Sequence, residues 1–451
     1  MKLGIVGAGP VGLVSALHAL KAGHEVHVFS VNDTNNSSTA NKWSGELKTG
    51  KNGFAAYGED ISLNTSSLNH LFIESKIRGG FANVWGATWG PFVHLDSPEW
   101  QYAYEQVDRY VWSSNPLGRL WTDLPFAEEF QCTCFKASIE KIVSKNTNAT
   151  KVAKLAILHH ECNCLANGNS RCDHESIFDT TNMLKNCEEF ELFKLFESIK
   201  IESFASLEHG VQLSPNVRNL VYDKIVLAAG PIANTKIIIN SDPKIVELVI
   251  RDNAMIYVPL INLFRKMKHS GSFAFSQIQI SSSPNSPLQF HQQIYAHPEL
   301  FIDRIISSIP NILRPVARTF VKIASSRMNI GIVYLDEKIS SKLSIDRNLK
   351  LKVVKPGTPL GIRKKVSLNY GIWRNFLGVG FFWCWPISKK GLPGASFHVG
   401  ALEGDFLDSY GQIIDNPKVG VAGSLCLERL EPGPITNTSM AQAIRLIERI
   451  L

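Results

Sequence analysis

The segment "GIVGAGPVGL" near the N-terminus constrains the fold of this chain more than any other feature. Gly7, Gly9 and Gly12 form a G-x-G-x-x-G pattern between an apolar strand and the helix-like run "VGLVSALHAL". In such a turn the first glycine permits a tight bend and the second lets backbone approach a pyrophosphate. The third lets the helix pack closely on the strand. The pattern predicts a dinucleotide-binding unit, and the alternative is a purely structural glycine turn.

The second strand of this unit, "EVHVFS", follows at the expected spacing and ends in Ser30. An acidic residue usually stands here and binds the ribose hydroxyls of the dinucleotide. A serine hydroxyl forms one hydrogen bond to a ribose but lacks the two oxygens of a carboxylate. We therefore expect Ser30 to contact the nucleotide through a weaker interaction.

Two further segments carry glycines in a similar context. "YDKIVLAAGPIANTKII" predicts a buried strand followed by Gly230 at the start of a helix. "RGGFANVWGATW" contains Gly79, Gly80 and Gly86, which permit close approach of the backbone to a ligand.

These segments, with "FHVGALEGD" and the tail "GQIIDNPKVGVAGSLCLERLEPGPITNTSMAQAIRL", resemble the glucose-methanol-choline (GMC) oxidoreductase family, as a short bacterial-type member. The resemblance implies an α/β fold in which both chain ends build an FAD-binding Rossmann-like domain, with an inserted α+β substrate domain. It implies residues 1–245 and 395–451 for the FAD-binding domain and 246–394 for the substrate domain. It also implies FAD as cofactor and oxidation of an alcohol, such as a sugar or glycan hydroxyl, by hydride transfer to flavin N5.

In the family, a loop similar to "RGGFANVWGATW" runs under the flavin. Gly79, Gly80 and Gly86 would then lie against the pyrophosphate and the ring. Asn83 and Trp85 would either contact the cofactor or simply pack the loop.

The family's catalytic base is a histidine that heads a motif similar to "FHVGA", so the resemblance implies His398 as the base. A neutral imidazole can take the hydroxyl proton as hydride leaves. The alternative is a packed core histidine. The family's second catalytic position is His or Asn before a Pro-Thr pair. Pro434 stands there in this chain, and Asn437, three residues on, is the candidate substitute.

The last helix begins near this point, and Thr436 or Thr438 is a suitable N-cap. By the resemblance, the helix N-terminus points at the flavin pyrimidine ring, where its dipole stabilises the negative charge of the reduced flavin. The family's Asp-Ala-Ser near the pyrophosphate reads Ala422-Gly423-Ser424 here, which leaves Ser424 as the polar contact.

A Cys- and His-rich segment, "HHECNCLANGNSRCDHES", leaves two interpretations open. Its candidate ligands are His159, His160, Cys162, Cys164, Cys172 and His174. Some dehydrogenases that resemble this family carry an iron–sulfur cluster in such a loop and relay electrons through it. The C-x-C-x₇-C spacing, however, lacks the C-x₂-C pair of common zinc and cluster sites. We therefore expect a loop without metal.

The segment "IDRIISSIPNILRPVARTFVKIAS" places cations Arg314, Arg318 and Lys322 at helical spacing, with Pro310 and Pro315 as expected bends. The apolar positions of the same pattern are Ile302, Ile305, Ile309, Ile312, Val316, Phe320 and Ile323. One interpretation is a core helix with a solvated basic face. The other is an interfacial helix that touches an anionic membrane.

Composition limits the other possibilities. Hydrophobic residues make up 44% and charged residues 19%, an ordinary globular balance, and the net charge of +7 is modest. We expect no nucleic-acid partner. The first strand begins so close to Met1 that we expect no signal peptide and a cytoplasmic protein, with peripheral membrane contact as an option. A binding protein that keeps the fold without turnover is the main rival, and the electron acceptor is left open.

Overall fold

The computed structural model describes residues 1–31, 58–60, 73–75, 79–83, 88–92, 94–112, 150–152, 156, 178, 180–215, 219–261, 276–282, 289–295, 306, 310–325, 328–355, 382–383, 389–391, 393–394, 396 and 398–451. The helices of these residues are α1 (Pro10–Lys21), α2 (Pro98–Trp112), α3 (Thr181–Glu188), α4 (Pro231–Ser241), α5 (Arg314–Ser325) and α6 (Thr436–Ile450). Trp85, Gly86 and the Cys- and His-rich segment 159–174 lie outside the described residues.

A six-stranded sheet lies at the centre of the nucleotide-binding half. In spatial order its strands are β21 (Gln412–Ile413), β22 (Asn416–Val421), β10 (Lys224–Leu227), β1 (Lys2–Val6), β2 (Glu25–Phe29) and β6 (Phe193–Phe196). All neighbours pair in parallel except β21 and β22. The sheet joins strands from both ends of the chain. The expected α/β fold with a parallel sheet is confirmed.

The strands of this sheet are apolar because both faces are covered. Leu3 and Ile5 of β1 pack into one core with α1, α2, α3 and α6. Val6 and Ile225 belong to a second core, together with the isoleucines of α4. Burial on both faces explains the nearly continuous apolar runs "LGIV" and "KIVL".

Three smaller antiparallel sheets accompany it. A three-stranded sheet contains β7 (Ser203–Leu207), β8 (Gly210–Ser214) and β9 (Val221–Tyr222). A four-stranded sheet contains β17 (Leu351–Lys355), β16 (Lys342–Asp346), β11 (Glu247–Asp252) and β20 (Val399–Gly400). A hairpin pairs β3 (Gly58–Asp60) with β4 (Ile73–Ser75).

A seven-stranded antiparallel sheet forms most of the inserted region. Its order is β18 (Phe382–Trp383), β12 (Met255–Ile261), β15 (Met328–Leu335), β14 (Phe290–Tyr295), β13 (Ser276–Ser281) and β5 (Thr150–Val152), and β19 (Lys389–Lys390) also pairs with β12. The predicted strand-rich character of this region is confirmed. One strand departs from the expected division, because β5 lies within residues 1–245 yet pairs with β13.

Two expectations for the amphipathic segment are not met. Its prolines do not bend a helix, and Ile312 and Val316 are not packed in the core. Pro310 precedes a short 3₁₀ turn, Asn311–Leu313, and α5 begins at Arg314. Pro315 is therefore the second residue of a helix, where its missing N–H costs nothing, and it does not bend one. Ile312 and Val316 are exposed, so the core-helix interpretation is wrong for this part of the segment. Ile302, Ile305 and Ile309 lie outside the described residues.

Of the described helices, none combines the length and the apolar character needed to cross a membrane.

Candidate active site

The turn between β1 and α1 is closed by two glycines that leave no room for side chains. Gly7 has a φ of 116° and donates its N–H to the carbonyl of Phe29, 2.8 Å away. A Cβ on Gly7 would overlap the carbonyl of Ala228, at the end of the neighbouring strand. A Cβ on Gly12 would overlap the carbonyl of Gly7 itself. The tight bend and the close helix packing expected at these positions are both present.

Gly9 differs from Gly7 and Gly12, because a side chain at Gly9 would point into space that the described residues leave open. A Cβ on Gly9 would meet no atom of the described residues within 4 Å, and its φ of −83° suits any residue. Gly80 and Gly230, with φ of 59° and 90°, have the same openness. Packing among the described residues therefore does not explain why these three positions lack a side chain. A glycine at each of them suits a ligand that lies against the backbone.

The glycine loop lies against this turn. Gly79 donates its N–H to the carbonyl of Ala8 at 3.2 Å, and the 3₁₀ turn Gly80–Asn83 follows. Ser30 is buried at the end of β2, where its N–H donates to Phe196 and its carbonyl accepts from Ile199. Gly79 thus lies against the turn that leads into α1, where the N–H groups of the first helical turn favour an anion.

The start of α4 is built without a side-chain cap. Gly230 precedes Pro231, and Asn234 turns back to hold the loop: its Oδ1 accepts from the N–H of Ala229 and its Nδ2 donates to the carbonyl of Leu227. Asn234 is fully buried, so its role is to fix the loop in which Gly230 lies.

The start of α6 corrects the predicted cap. Ile435 precedes the helix and gives no side-chain cap, and Thr436 is already the first helical residue. The Thr438 hydroxyl accepts the N–H of Phe92 and bonds Tyr104, both at 3.1 Å. The prediction that Thr436 or Thr438 caps the helix is wrong, because Thr438 instead ties α6 to segment 88–92. The helix N-terminus keeps its N–H groups free of a capping side chain, as an anion site requires.

Asn437, in the first turn of α6, is almost fully buried. Its Oδ1 is buried without a hydrogen-bond partner in the described part of the chain. An unpaired buried amide oxygen is costly in a folded protein and is typical of a binding site.

His398 lies immediately before β20 and packs on Tyr334 of β15. Their rings stack with centroids 4.6 Å apart and 15° between planes. The His398 Nδ1 is buried and has no partner among the residues that the structure describes. The stack on Tyr334 therefore holds the imidazole of His398 in place, and no hydrogen bond from the described residues occupies its Nδ1.

A buried hydrogen-bond network positions the His398 backbone. Asp252 accepts the N–H of Gly394 at 3.0 Å and the hydroxyl of Ser396 at 3.2 Å. The Ser396 oxygen in turn accepts the N–H of His398 at 3.0 Å. Asn253 donates its N–H to the His398 carbonyl, so both sides of the residue are fixed.

The same segment is bonded to the C-terminal tail. The Ser424 hydroxyl donates to the carbonyl of Val399 at 2.7 Å, and its carbonyl accepts the N–H of Ala401. A Cβ on the adjacent Gly423 would lie 3.5 Å from Val11, in the first turn of α1. The hydroxyl of Ser424 thus ties the strand after His398 to the tail, which passes close to α1 at Gly423, and the predicted contact of Ser424 with the cofactor stays a prediction.

A second histidine completes the site. His291 of β14 is directly opposite Tyr334 in the sheet, and their ring centroids are 6.4 Å apart. Its Nδ1 lies 2.9 Å from the Ser281 hydroxyl, whereas its buried Nε2 has no partner within the described residues. A Cβ on Gly433 would lie 3.9 Å from the His291 ring, so the chain just before Pro434 passes over it.

The face of β14 that carries His291 faces the glycine loop. Alternation places His291, Gln293 and Tyr295 on one face of the strand. Gln293 accepts from the hydroxyl of Thr88, which follows that loop, and from the hydroxyl of Tyr295. The His291 side chain therefore lies on the same strand face as Gln293, which contacts the nucleotide-binding half through Thr88.

Both imidazoles are neutral at pH 7. Burial lowers the pKa of His291 to about 4. Burial, and to a smaller extent the proximity of His291, lowers the pKa of His398 to about 3. Each histidine can accept one proton or donate one hydrogen bond, and burial of two charges together is unfavourable.

Within the described residues, no group of three or more His, Cys, Asp or Glu side chains has a geometry that could hold a metal ion.

Comparison with known proteins supports the fold. No family model matches the chain, and neither does any curated protein. The solved structure titled "Crystal structure of pyridoxine 4-oxidase from Mesorbium loti" matches 99% of this chain and 98% of its own, with a TM-score of 0.60. The two chains share 13% sequence identity, so the match shows a common fold and leaves the chemistry to be argued from the site.

Proposed function

We propose that this chain, which has the fold of a pyridoxine 4-oxidase, is an FAD-dependent oxidoreductase that oxidises an alcohol. One observation carries the proposal: the strand after His398 is bonded through Ser424 to the tail that packs on Val11, at the start of α1. A buried, unpaired imidazole nitrogen is thereby fixed relative to a glycine turn suited to a dinucleotide.

The residues present fit FAD. The described residues leave openings at Gly9, Gly80 and Gly230, and the N–H groups at the start of α1 suit a pyrophosphate. Ser30 would meet the ribose, and the uncapped start of α6 would favour negative charge on the reduced ring. When bound, FAD supplies a two-electron acceptor for a hydride.

The chain's own residues supply the proton chemistry. His398, neutral at pH 7, takes the hydroxyl proton on a ring nitrogen. The carbon–hydrogen bond breaks with its electron pair leaving as hydride, and the carbon–oxygen double bond forms. The alcohol loses one proton to His398 and one hydride, which together are two electrons and two protons, and Tyr334 keeps the imidazole oriented throughout.

The substrate we propose is a sugar or glycan hydroxyl. The solved neighbour is named for oxidation of pyridoxine, which is also an alcohol, so pyridoxine is the natural comparison. Polar side chains on the face of β14, Gln293 and Tyr295, offer hydrogen bonds to a hydroxylated ligand.

A cytoplasmic location is part of the proposal. Cys187 and Cys426 are free thiols, which suits a reducing compartment.

The absorption spectrum of the purified full chain tests the proposal. We expect a yellow protein with the two visible bands of oxidised flavin. Anaerobic addition of a panel containing pyridoxine, a methyl glycoside and simple primary alcohols should bleach those bands with at least one member. A colourless protein that does not take up added FAD contradicts the proposal. A stable yellow protein that no alcohol bleaches favours a binding protein without turnover.

The rival in which electrons pass through a metal cluster is tested on the same sample. Iron and acid-labile sulfide at stoichiometric amounts would support that rival. We expect neither.

A further inference from the structure

His291 is a group that the proposed proton transfer leaves without a role. It is 4% exposed, and its Nε2 has no hydrogen-bond partner among the described residues. A buried nitrogen of this kind costs stability unless something pairs with it. Since no described protein atom does, the partner to consider is a ligand.

The surroundings of His291 indicate which ligand would pair with its Nε2. Its ring lies beside Tyr334, on which His398 stacks, and its proximity contributes to the lowered pKa of His398. The backbone at Gly433, just before Pro434, lies close to the His291 ring. The two imidazoles thus flank Tyr334, and each has a buried nitrogen without a hydrogen-bond partner among the described residues.

Alcohol oxidation needs two contacts to the same oxygen. One group removes the hydroxyl proton, and another donates a hydrogen bond to the oxygen while negative charge develops. A single imidazole cannot do both at one moment, because the nitrogen that accepts the proton is not donating.

We propose that His291 donates a hydrogen bond from Nε2 to the hydroxyl oxygen of the alcohol that His398 deprotonates. Ser281 is a positioning residue in this arrangement, because a hydrogen bond from its hydroxyl to Nδ1 keeps the proton of His291 on Nε2. No proton leaves His291, so the balance of the reaction is unchanged. This inference rests on the proposed function and deepens it.

Binding of an alcohol that resists oxidation provides a test that does not depend on turnover. Trifluoroethanol binding to the FAD-loaded protein can be followed by ¹⁹F NMR. Loss of one hydrogen bond in His291→Phe should weaken binding about five- to tenfold. His291→Gln, which keeps a donor, should recover part of the loss. Ser281→Ala should shift the pH dependence of binding, which a merely structural serine would leave unchanged.

His27 supplies a matched control. It is equally buried, but it lies in β2 of the parallel sheet and not in the seven-stranded one, and its Nδ1 bonds the Tyr222 hydroxyl at 3.1 Å. His27→Gln should leave trifluoroethanol affinity at the wild-type value. Wild-type affinity in folded His291→Phe would overturn the inference while leaving alcohol oxidation standing. Failure of wild-type protein to bind trifluoroethanol or be reduced by any alcohol would overturn both.

A second inference rests on an independent surface, the exposed face of residues 310–318. Ile312, Leu313 and Val316 are 86%, 54% and 71% exposed, an unusual cluster of apolar side chains on a surface. Arg314 and Arg318 share the same turn and helix, and Lys322 follows at the same spacing. Residues 305–335 contain no Asp or Glu.

We propose that this face docks on an anionic lipid surface. Apolar side chains beside cations, without acidic residues, complement a layer of anionic headgroups over acyl chains. The contact would hold the proposed enzyme at a membrane surface.

Vesicle sedimentation of the full chain tests this second inference. The protein should pellet with phosphatidylglycerol-containing vesicles at low salt, be released at high salt, and stay in solution with pure phosphatidylcholine. Val316→Asp should weaken binding several-fold. Val246→Asp should not, although Val246 is equally exposed at 69%. Equal vesicle binding by the two variants would overturn the inference. A wild-type dimer that Val316→Asp dissociates would also overturn it, because the face would then be an interface between two copies of the chain.

Discussion

His398 and Tyr334 stack almost face to face, with ring centroids 4.6 Å apart and planes inclined by 15°. The two residues come from different sheets, because Tyr334 lies in the seven-stranded sheet and His398 precedes β20 of the four-stranded sheet. The stack therefore fixes the imidazole relative to the sheet that carries His291.

Tyr334→Leu removes the aromatic face against which the imidazole is held. A stacked pair contributes about 0.5–1.5 kcal/mol, so we expect flavin reduction by the substrate to slow by up to about tenfold. FAD content should not change. Tyr334→Phe keeps the ring and should reduce at nearly the wild-type rate, so equal losses in both variants would show that the stack is not the cause.

Gly9 and Gly12 should respond differently to a side chain. The Cβ of Gly9→Val would meet no atom of the described residues, so the protein should fold normally but lose FAD, because the side chain occupies the space of the pyrophosphate. Gly12→Ala overlaps the Gly7 carbonyl and should lower the free energy of unfolding even without FAD. Thermal unfolding and bound-flavin absorbance measure the two effects. Full FAD retention in Gly9→Val would mean that the nucleotide binds elsewhere.

The Ser396 hydroxyl donates a hydrogen bond to the buried Asp252 carboxylate and accepts one from the His398 N–H, so it links the two groups. Ser396→Ala should loosen this segment and lower kcat several-fold, with FAD affinity unchanged because the glycine turn is untouched. Ser396→Thr, which keeps the hydroxyl, should recover most of the rate. A wild-type kcat in folded Ser396→Ala would show that Asn253 alone positions the histidine.

Acid should destabilise the protein through its two site histidines. Their pKa values in the folded state lie below the usual value of about 6.5, so the unfolded chain binds more protons as pH falls. The free energy of unfolding should decrease from pH 6.5 towards pH 4, by at most about 1.4 kcal/mol per pH unit for each histidine. His291→Gln should flatten this dependence in urea unfolding measured across that range. An unchanged slope would mean that His291 titrates normally.

Sequence predicted the parts of the site that depend on local spacing. Gly7, Gly9 and Gly12 set the turn within six residues, and the run "FHVGA" singled out His398. His291 was missed, because a histidine in a strand becomes significant only once pairing places it opposite Tyr334. The polar residues of "FHQQIY" gave only a weak local signal, because polar side chains in a strand are usually exposed to solvent.

The errors also have physical causes. Thr438 matches the composition of an N-cap, but its hydroxyl is taken by Phe92 and Tyr104, partners more than three hundred residues earlier. Pro315 looks like a helix breaker until the helix is found to begin one residue before it. In both cases a tertiary contact or an element boundary decided the outcome.

Anaerobic rapid mixing of His398→Ala with a substrate alcohol tests the central claim most directly. A positioned base contributes about 10²- to 10⁴-fold, so flavin reduction should slow by that factor while FAD stays bound. Asn437→Ala, at the start of α6 and without a basic nitrogen, should cost far less. Reduction of His398→Ala at the wild-type rate would contradict the account, because the base would then be another group or the substrate not an alcohol.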